Sequence, residues 1–254
     1  MASVSQQPRI VVIGAGMAGI LTVIKCMEAG YTDVVVYEKA ARLGGTWREN
    51  TYPGIACDVP AHLYTYSFEP NPSWSHVFAP GDEIQAYFEG VAEKYGVMPH
   101  IRFDTEIVSS EFRDGRWALQ MKDGGSDVAD VLIAATGVLH HPNYPAIAGL
   151  DDFGGACFHT ARWDHGVPLD GRRVGVIGTG STAIQVTSAL VERVAKYALF
   201  QRTAQWIMPI ENPAYSAEER AAFARDPALI DKLRAEFNHQ MIDNIAVAVV
   251  NADS

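Results

Sequence analysis

Short runs of β-branched apolar residues mark the buried strands of this chain. Ile10 to Ile13 is the first such run, and it leads directly into a glycine-rich turn. Apolar residues at helical spacing continue to about Ala29, and Val34 to Tyr37 gives the next strand. A strand, a glycine turn, a helix and a second strand are typical of the opening of a doubly wound sheet.

The same pattern returns in the second half of the chain. Val174–Ile177 predicts a strand, Ala183–Val194 a helix and Tyr197–Phe200 the following strand, with a glycine turn after the first strand. The predicted fold class is therefore α/β, with two doubly wound, Rossmann-like dinucleotide-binding domains. A nucleotide-binding half of such a fold needs three strands, and the second unit shows only two, so that domain is expected to be incomplete in this chain.

Between the two units the pattern is more varied. Residues 42–75 are rich in glycine, proline, asparagine and tryptophan, which favours a long ordered loop of the kind that carries function. Gly81 to Lys94 has the spacing of a helix. Four short strands, with Asp-Gly turns among them, are predicted at Ile101–Phe103, Glu106–Phe112, Trp117–Met121 and Val128–Ala134.

The tail of the chain from Ser216 onward is predicted to be helical. Its apolar positions recur at helical spacing and form a stripe at Leu229, Leu233, Phe237, Met241 and Ile245. The apolar face runs on to Val250 and would need a covering partner.

Composition and charge restrict the class of protein. The 254 residues are 48% hydrophobic and 20% charged, as in a globular protein. The net charge of −10, without a basic cluster, argues against binding to nucleic acid or to an anionic membrane. No basic leader segment is found, and the longest apolar run is far shorter than the ~20 residues that span a bilayer.

The three cysteines are an odd number of widely separated residues, Cys26, Cys57 and Cys157. They form neither a CxxC pair nor a cluster with metal-site spacing, so no metal site is expected. A reducing, cytoplasmic compartment fits this usage. The lack of a redox pair also argues against a disulfide reductase.

The first glycine turn carries the GxGxxG pattern at Gly14, Gly16 and Gly19. Taken alone the pattern can be an ordinary tight turn, but here it lies between a strand and a helix. Glu38 ends the next strand, where a carboxylate accepts hydrogen bonds from a ribose. Backbone N–H groups of the turn would hold the pyrophosphate at the helix N-terminus. This unit is predicted to bind FAD or NAD.

The second turn has Gly178 and Gly180, and its nucleotide preference is predicted to differ. Arg202 follows Gly178 by 24 positions, the same offset that separates Glu38 from Gly14. A guanidinium pairs with a ribose 2′-phosphate, which a carboxylate repels, and Thr203 could add a hydroxyl. A solvated cation at a strand end is the alternative for Arg202. Two dinucleotides in one chain imply hydride transfer from NADPH to a flavin.

Residues 153–164, FGGACFHTARWD, resemble the FxGxxxHxxxW(P/D) fingerprint of type I Baeyer–Villiger monooxygenases, which are class B flavoprotein monooxygenases. The segment matches at every fixed position, including His159 and Trp163. Related N- and S-oxygenating flavin monooxygenases usually have another aromatic residue in place of Trp163. Without this resemblance, His159 would be interpreted as a capped polar residue and Trp163 as a core residue.

The resemblance implies a set of cofactor contacts and one catalytic position. Asp58 matches the family's aspartate, which holds a catalytic arginine beside the flavin; a plain turn residue is the alternative. The implied FAD contacts, with the first turn and Glu38, are Gly45, Thr46, Trp47, Asp58, Tyr64 and the backbone of Ile107. The implied NADPH contacts are Gly178, Thr179, Gly180, Ser181, Thr182, Gln185, Arg202 and Thr203. His159 and Trp163 match a linker that couples cofactor binding to domain motion.

The implied activity is oxygenation of a ketone by molecular oxygen to an ester or lactone, through a C4a-peroxyflavin, with FAD and NADPH. The expected organisation is an FAD-binding domain at residues 1–150, a linker at 151–171 and an NADPH-binding domain at 172–254. An N- or S-oxygenating monooxygenase and a non-catalytic nucleotide-binding subunit are the alternatives.

The resemblance covers only the N-terminal half of the family. It implies that the returning segment that completes the FAD-binding domain is also missing, so both domains are expected to be incomplete. No residue after Thr203 matches the family's catalytic arginine. The chain is therefore expected to be either a truncated piece or one subunit of a split, heteromeric enzyme. In the second case another polypeptide would supply the C-terminal half.

Overall fold

The computed structural model describes residues 7–207 and 209–242, which form two compact units. The first unit comprises Met1–Thr51 and Gln85–Trp163, and the second comprises Tyr52–Ile84 and Asp164–Ser254. Residues 52–84 thus group with the C-terminal part of the chain. The predicted domain boundaries at 150 and 172 stay a prediction.

The described residues contain nine strands and six helices. The strands are β1 (Ile10–Ile13), β2 (Val34–Tyr37), β3 (Ile101–Arg102), β4 (Ile107–Arg113), β5 (Arg116–Met121), β6 (Ser126–Ala129), β7 (Val131–Ala134), β8 (Arg173–Ile177) and β9 (Lys196–Phe200). The helices are α1 (Met17–Glu28), α2 (Thr46–Glu49), α3 (Gly81–Lys94), α4 (Ser181–Leu190), α5 (Ala217–Arg225) and α6 (Ala228–His239). Short 3-10 helices cover Met98–His100 and Thr160–Arg162.

The first unit is built on a parallel sheet with the strand order β3-β2-β1-β7. Its central strands are almost wholly apolar because both faces are covered; Val11, Val12 and Val36 are fully buried. Helix α1 connects β1 to β2, as the sequence predicts. The fold class is confirmed.

An antiparallel sheet of β4, β5 and β6 packs against the parallel sheet through a shared core that includes Val11, Leu119 and Ala129. The single strand predicted over Val128–Ala134 is wrong. The chain changes partner at Asp130: β6 pairs with β5, whereas β7 pairs with β1. Asp130 fixes this bend, because its backbone N–H donates to the Arg9 carbonyl and its carboxylate accepts from the Arg9 N–H.

The second unit contains the parallel pair β8-β9 and helix α4. The tail predicted as one helix is two helices, because Pro227 cannot donate within a continuing helix and instead precedes α6. Helix α5 begins with a capping box, in which Ser216 and Glu219 exchange side-chain and backbone hydrogen bonds. Ile245 and Val250, part of the predicted apolar stripe, lie outside the described residues.

Other element bounds agree closely with the sequence. The helix predicted over Gly81–Lys94 is confirmed, and the helix predicted over Ala183–Val194 begins and ends earlier, as α4. All three cysteines are free. Within residues 7–207 and 209–242, no helix is long and apolar enough to cross a membrane, and no group of three or more His, Cys, Asp or Glu could hold a metal ion.

Candidate functional site

The first glycine turn has a backbone that only glycine permits. Gly14 has a φ of +102°, and a Cβ on it would lie 2.5 Å from the Ala135 carbonyl oxygen. A Cβ on Gly19 would lie 1.9 Å from the Gly14 carbonyl oxygen. Helix α1 starts directly after Gly16, and no side chain in the described structure caps it. A side-chain-free helix N-terminus fits a pyrophosphate, which approaches the backbone closely.

A second glycine loop lies against the first turn. Gly45 has a φ of +55°, and a Cβ on it would lie 3.2 Å from the Cα of Gly16. The Gly44 N–H donates to the Ala15 carbonyl at 2.9 Å. The fold therefore brings Gly45, and with it the adjoining Thr46 and Trp47, to the GxGxxG turn from which they are distant in sequence.

Glu38 joins the end of β2 to the same turn. Its side chain is buried, with the residue 4% exposed. One carboxylate oxygen accepts from the Ala15 N–H at 2.8 Å, and the other accepts from the Ala40 N–H at 3.0 Å. The predicted ribose acceptor is thus placed at the glycine turn by backbone hydrogen bonds.

Arg48 is a residue of this site that the sequence reasoning missed. Its Nη1 lies 3.0 Å from a Glu38 oxygen, and its Nη2 lies 2.9 Å from Glu49. The Arg48 side chain is only 13% exposed, and it also donates to the Arg42 carbonyl at 2.5 Å. No sequence signal marked this contact, because it depends on the path of the chain between the two residues.

The second glycine turn repeats the backbone of the first. The Gly178 N–H donates to the Phe200 carbonyl at 2.9 Å, as the Gly14 N–H donates to the Tyr37 carbonyl at 2.8 Å. Gly178 has a φ of +116°, and α4 begins after Gly180 without a side-chain cap. The two turns therefore offer the same kind of uncapped helix N-terminus.

Arg202 and Thr203 follow β9, and both are exposed. The Thr179 hydroxyl donates to the Thr203 carbonyl at 3.3 Å, which ties the glycine turn to the end of this strand. In the part of the chain that the structure describes, the Arg202 guanidinium has no ion-pair partner. Its donors are open to a ligand, whereas the carboxylate at the matching offset is buried and paired.

Asp58 lies in the second unit beside the first turn of α4. Its carboxylate accepts from the Ser181 hydroxyl at 3.4 Å, and the side chain is exposed. Of the predicted NADPH contacts, Ser181, Thr182 and Gln185 all contact the loop that carries Asp58. The structure thus brings residues assigned to two cofactors into one hydrogen-bonded group.

His62 is a buried residue near the predicted flavin contact Tyr64 that the sequence did not single out. It is 1% exposed and packs edge-on against Tyr215 and Phe223, with ring centroids 5.4 and 5.0 Å away. Burial, together with the positive charge of Arg234, lowers the pKa of His62 to about 4. The ring is therefore neutral at neutral pH.

Tyr64 and Ile107 take their places from backbone hydrogen bonds. The Tyr64 N–H donates to the Pro60 carbonyl at 3.0 Å, and the side chain is half-buried. Ile107 opens β4 and pairs with Met121. The Thr105 N–H, two residues before Ile107, donates to the Glu38 carbonyl at 2.9 Å, so this segment enters β4 from the end of β2.

The fingerprint residues His159 and Trp163 contact their own segment. His159 caps the 3-10 helix by accepting from the Ala161 N–H at 3.0 Å, and its backbone N–H donates to the Tyr144 hydroxyl at 3.1 Å. Trp163 packs edge-on against Phe158 at 5.1 Å. Their predicted coupling to domain motion stays a prediction.

Two Rossmann-type units, each with a glycine turn at a helix N-terminus, define a dinucleotide-binding protein. The chain belongs to the flavin-binding monooxygenase-like family, whose model matches residues 7–225. It is 54% identical over 222 residues to an uncharacterized monooxygenase of Mycobacterium tuberculosis, covering 87% of this chain and 45% of the relative. It is 45% identical over 227 residues to a Baeyer–Villiger monooxygenase of Streptomyces coelicolor, covering 89% of this chain and 44% of the relative.

Solved structures agree with this assignment. The closed crystal structure of a cyclohexanone monooxygenase superposes with a TM-score of 0.80 at 37% identity, covering 89% of this chain and 44% of that one. The structure of an oxidized steroid monooxygenase bound to NADP superposes with a TM-score of 0.79 at 38% identity, covering 88% of this chain and 44% of that one. The resemblance to Baeyer–Villiger monooxygenases is confirmed. The chain spans less than half the length of the curated relatives it matches.

Proposed function

We propose that this chain is the FAD- and NADPH-binding portion of a flavin monooxygenase that oxygenates a ketone to an ester or lactone. The observation that carries the proposal is the repeated glycine turn. Buried Glu38 lies 24 positions after Gly14, and exposed Arg202 lies 24 positions after Gly178 in the second turn. The similarity to Baeyer–Villiger monooxygenases and to a structure bound to NADP supports it.

The first unit would hold FAD. The backbone around Gly14 and Gly19 leaves no room for a side chain, which suits a pyrophosphate, and Glu38 would accept from the ribose hydroxyls. Gly45, Thr46 and Trp47 would form the neighbouring wall of the site. Bound flavin supplies the redox chemistry and the reaction with oxygen; the residues described here bind and orient it.

The second unit would hold NADPH at the N-terminus of α4. Arg202 would pair with the 2′-phosphate, and Thr203 would lie beside it. Thr179 links the turn to Thr203 through its hydroxyl and so fixes the distance between the pyrophosphate and phosphate subsites.

Asp58 would act as a positioning residue for a cation. Its carboxylate is exposed, and within the described residues its one side-chain hydrogen bond is to the Ser181 hydroxyl at 3.4 Å, which leaves capacity for a guanidinium. The resemblance implies that an arginine fills this role, and no matching arginine follows Thr203 in this sequence.

We further propose that a second polypeptide supplies the remainder of the enzyme. Support comes from exposed apolar side chains on β8, β9 and the segment after β9. These side chains are Ile177, Leu199, Phe200, Trp206, Ile207 and Ile210. Exposed apolar groups of this extent mark interaction surfaces.

The test is to purify the chain alone and together with a candidate partner similar to the C-terminal half of the relatives. Flavin content, mass in solution and ketone-dependent NADPH oxidation are then measured. We expect nucleotide binding by the single chain, and ester or lactone formation only with the partner. A fully active single-chain monomer would overturn the partner, and oxygenation of amines or sulfides instead of ketones would overturn the reaction class.

A further inference from the structure

The loop from Tyr52 to Asp58 is hydrogen-bonded along one side of α4. Two side chains make most of these contacts. The Tyr52 hydroxyl donates to Gln185 Oε1 at 2.9 Å, and Gln185 Nε2 donates to the Ala56 carbonyl at 2.9 Å. The Thr182 hydroxyl lies 3.4 Å from the Tyr52 hydroxyl. Tyr52 is 130 positions from Thr182 and 133 positions from Gln185 in the sequence, so these contacts join the loop to a helix that is distant along the chain.

The orientation of the Gln185 side-chain amide follows from the groups that it contacts. The Ala56 carbonyl can only accept, so the amide NH₂ faces it, and the amide oxygen therefore faces Tyr52. Both ends of this side chain are engaged by the loop. Its contribution to the nucleotide site would then be indirect, through the loop it holds.

The Tyr52 hydroxyl is suited to donate a hydrogen bond to Gln185 at neutral pH. It is 7% exposed, and burial raises the pKa of its phenol, so the hydroxyl stays protonated at neutral pH. A phenol hydroxyl that donates to Gln185 and lies near Thr182 can fix its ring in one position. A phenylalanine would keep the packing and lose these contacts.

Gly54 lets the loop approach the backbone of α4. It has a φ of +81°, and a Cβ on it would lie 2.6 Å from the Gln185 carbonyl oxygen and 3.0 Å from the Ala189 Cβ. At the far end of the loop, the Cys57 N–H donates to the Ala79 carbonyl at 3.0 Å. The backbone is thus held on both sides of Ala56, two residues before Asp58.

We propose that Tyr52 and Gln185 are positioning residues that hold the 52–58 loop on α4 and so set the Asp58 carboxylate beside Ser181. This proposal deepens the proposed function and rests on its NADPH site for one consequence. A pyrophosphate bound at the N-terminus of α4 would add negative charge near Asp58. Because the loop is fastened to the same helix, nucleotide binding would be transmitted to Asp58 through it.

The test is hydrogen exchange of the 52–58 segment in the full chain, with wild type, Tyr52→Phe and Gln185→Leu. Loss of one of these partly buried hydrogen bonds should speed exchange of this segment about tenfold. Tyr197→Phe is the matched control, because it removes a half-buried phenol that contacts Thr187 of α4 and not the loop. It should leave exchange of the 52–58 segment unchanged. Circular dichroism identifies any variant that has unfolded.

A third variant separates positioning from general packing. In Gln185→Glu the ionised carboxylate cannot donate to the Ala56 carbonyl, whereas the protonated acid can. Exchange of the loop, corrected for its intrinsic pH dependence, should be fast at pH 7.5 and return toward that of wild type at pH 4, below the ordinary glutamate pKa of ~4.3. Gln185→Leu should show no such recovery. This pH profile is expected only if the donated hydrogen bond holds the loop.

Addition of NADP⁺ tests the transmission to Asp58. It should change the exchange of the 52–58 segment in wild type, and this change should be lost in Tyr52→Phe. Wild-type exchange in both Tyr52→Phe and Gln185→Leu would overturn the positioning role. Absence of NADP⁺ binding by wild type would overturn the nucleotide site instead, and the exchange of the free chain would still decide the role of Tyr52 and Gln185.

Discussion

The Arg48 guanidinium lies 3.0 Å from the buried Glu38 carboxylate, and both side chains are largely withdrawn from solvent. The carboxylate proposed to bind a ribose is thus already neutralised by a cation of the adjacent glycine loop. The pair also fastens that loop to the end of β2. The buried Glu38 carboxylate has this partner together with two backbone N–H donors, so both of its oxygens are hydrogen-bonded.

Replacing Arg48 should therefore affect both stability and flavin binding. Arg48→Leu leaves Glu38 buried without its cation, a change that typically costs ~3–5 kcal/mol. Urea unfolding should show this loss, and flavin content after purification should fall. Arg116→Leu is the control, since its pair with Asp130 is exposed and should contribute at most ~1 kcal/mol. Equal losses in the two variants would contradict a special role for Arg48.

Arg202 should discriminate NADPH from NADH. Arg202→Ala removes a charge-assisted contact to the 2′-phosphate worth ~1.5–3 kcal/mol, which weakens NADPH binding by roughly ten- to 150-fold. NADH, which lacks that phosphate, should bind almost as it does to wild type. Titration calorimetry or fluorescence with both nucleotides measures the difference.

The control for this experiment is Arg193→Ala. Arg193 is another exposed arginine of the same unit, but it pairs with Asp170 at 2.9 Å. Its loss should leave the preference between the two nucleotides unchanged. If Arg202→Ala weakened the binding of NADPH and NADH equally, the proposal that Arg202 binds the 2′-phosphate would be wrong.

The sequence was sufficient for features that depend on local backbone constraints. Gly14 and Gly19 were predictable because a Cβ at either position meets backbone atoms, and such positions stand out as a fixed spacing at the start of a helix. The strand pattern likewise predicted both parallel units. It failed at Val128–Ala134, where one apolar run serves two sheets and nothing in its composition marks the change at Asp130.

The partners of the site residues were beyond sequence reasoning because they depend on tertiary contacts. The contact of Gln185 with Ala56 joins positions 129 residues apart. The pairing of Arg48 with Glu38 depends on the path of the intervening loop rather than on its composition. His62 has no neighbour in sequence that signals its burial, which comes from packing against Tyr215 and Phe223.

His62 should make the protein sensitive to mild acid. Its folded pKa of about 4 lies below the ordinary value of 6.5, so the unfolded chain takes up a proton more readily. The contribution of neutral His62 to the free energy of unfolding is fully present above pH 6.5 and is lost as the pH falls toward 4. At 1.36 kcal/mol per pKa unit, the total loss is on the order of 3 kcal/mol.

His62→Phe tests this pH dependence. Phenylalanine keeps a ring against Tyr215 and Phe223 and leaves the His62 backbone carbonyl, which accepts from Arg234 at 2.6 Å, in place. Urea unfolding at pH 7.5 and 4.5 should show a smaller difference for the variant than for wild type. An unchanged difference would mean that other groups cause the acid sensitivity.

Asp58 should support oxygenation rather than folding. It is exposed, and among the residues that the structure describes its side chain bonds to the Ser181 hydroxyl alone, at 3.4 Å, so Asp58→Ala removes little that stabilises the fold. In the complete enzyme the variant should keep its flavin spectrum and bind NADPH, but form little ester or lactone. Ser188→Ala is the control: it removes an exposed hydroxyl of α4 that donates to the Ile184 carbonyl of its own helix, so product formation should persist. Loss of flavin together with unfolding in Asp58→Ala would instead make Asp58 a structural turn residue, and full product formation would remove it from the reaction.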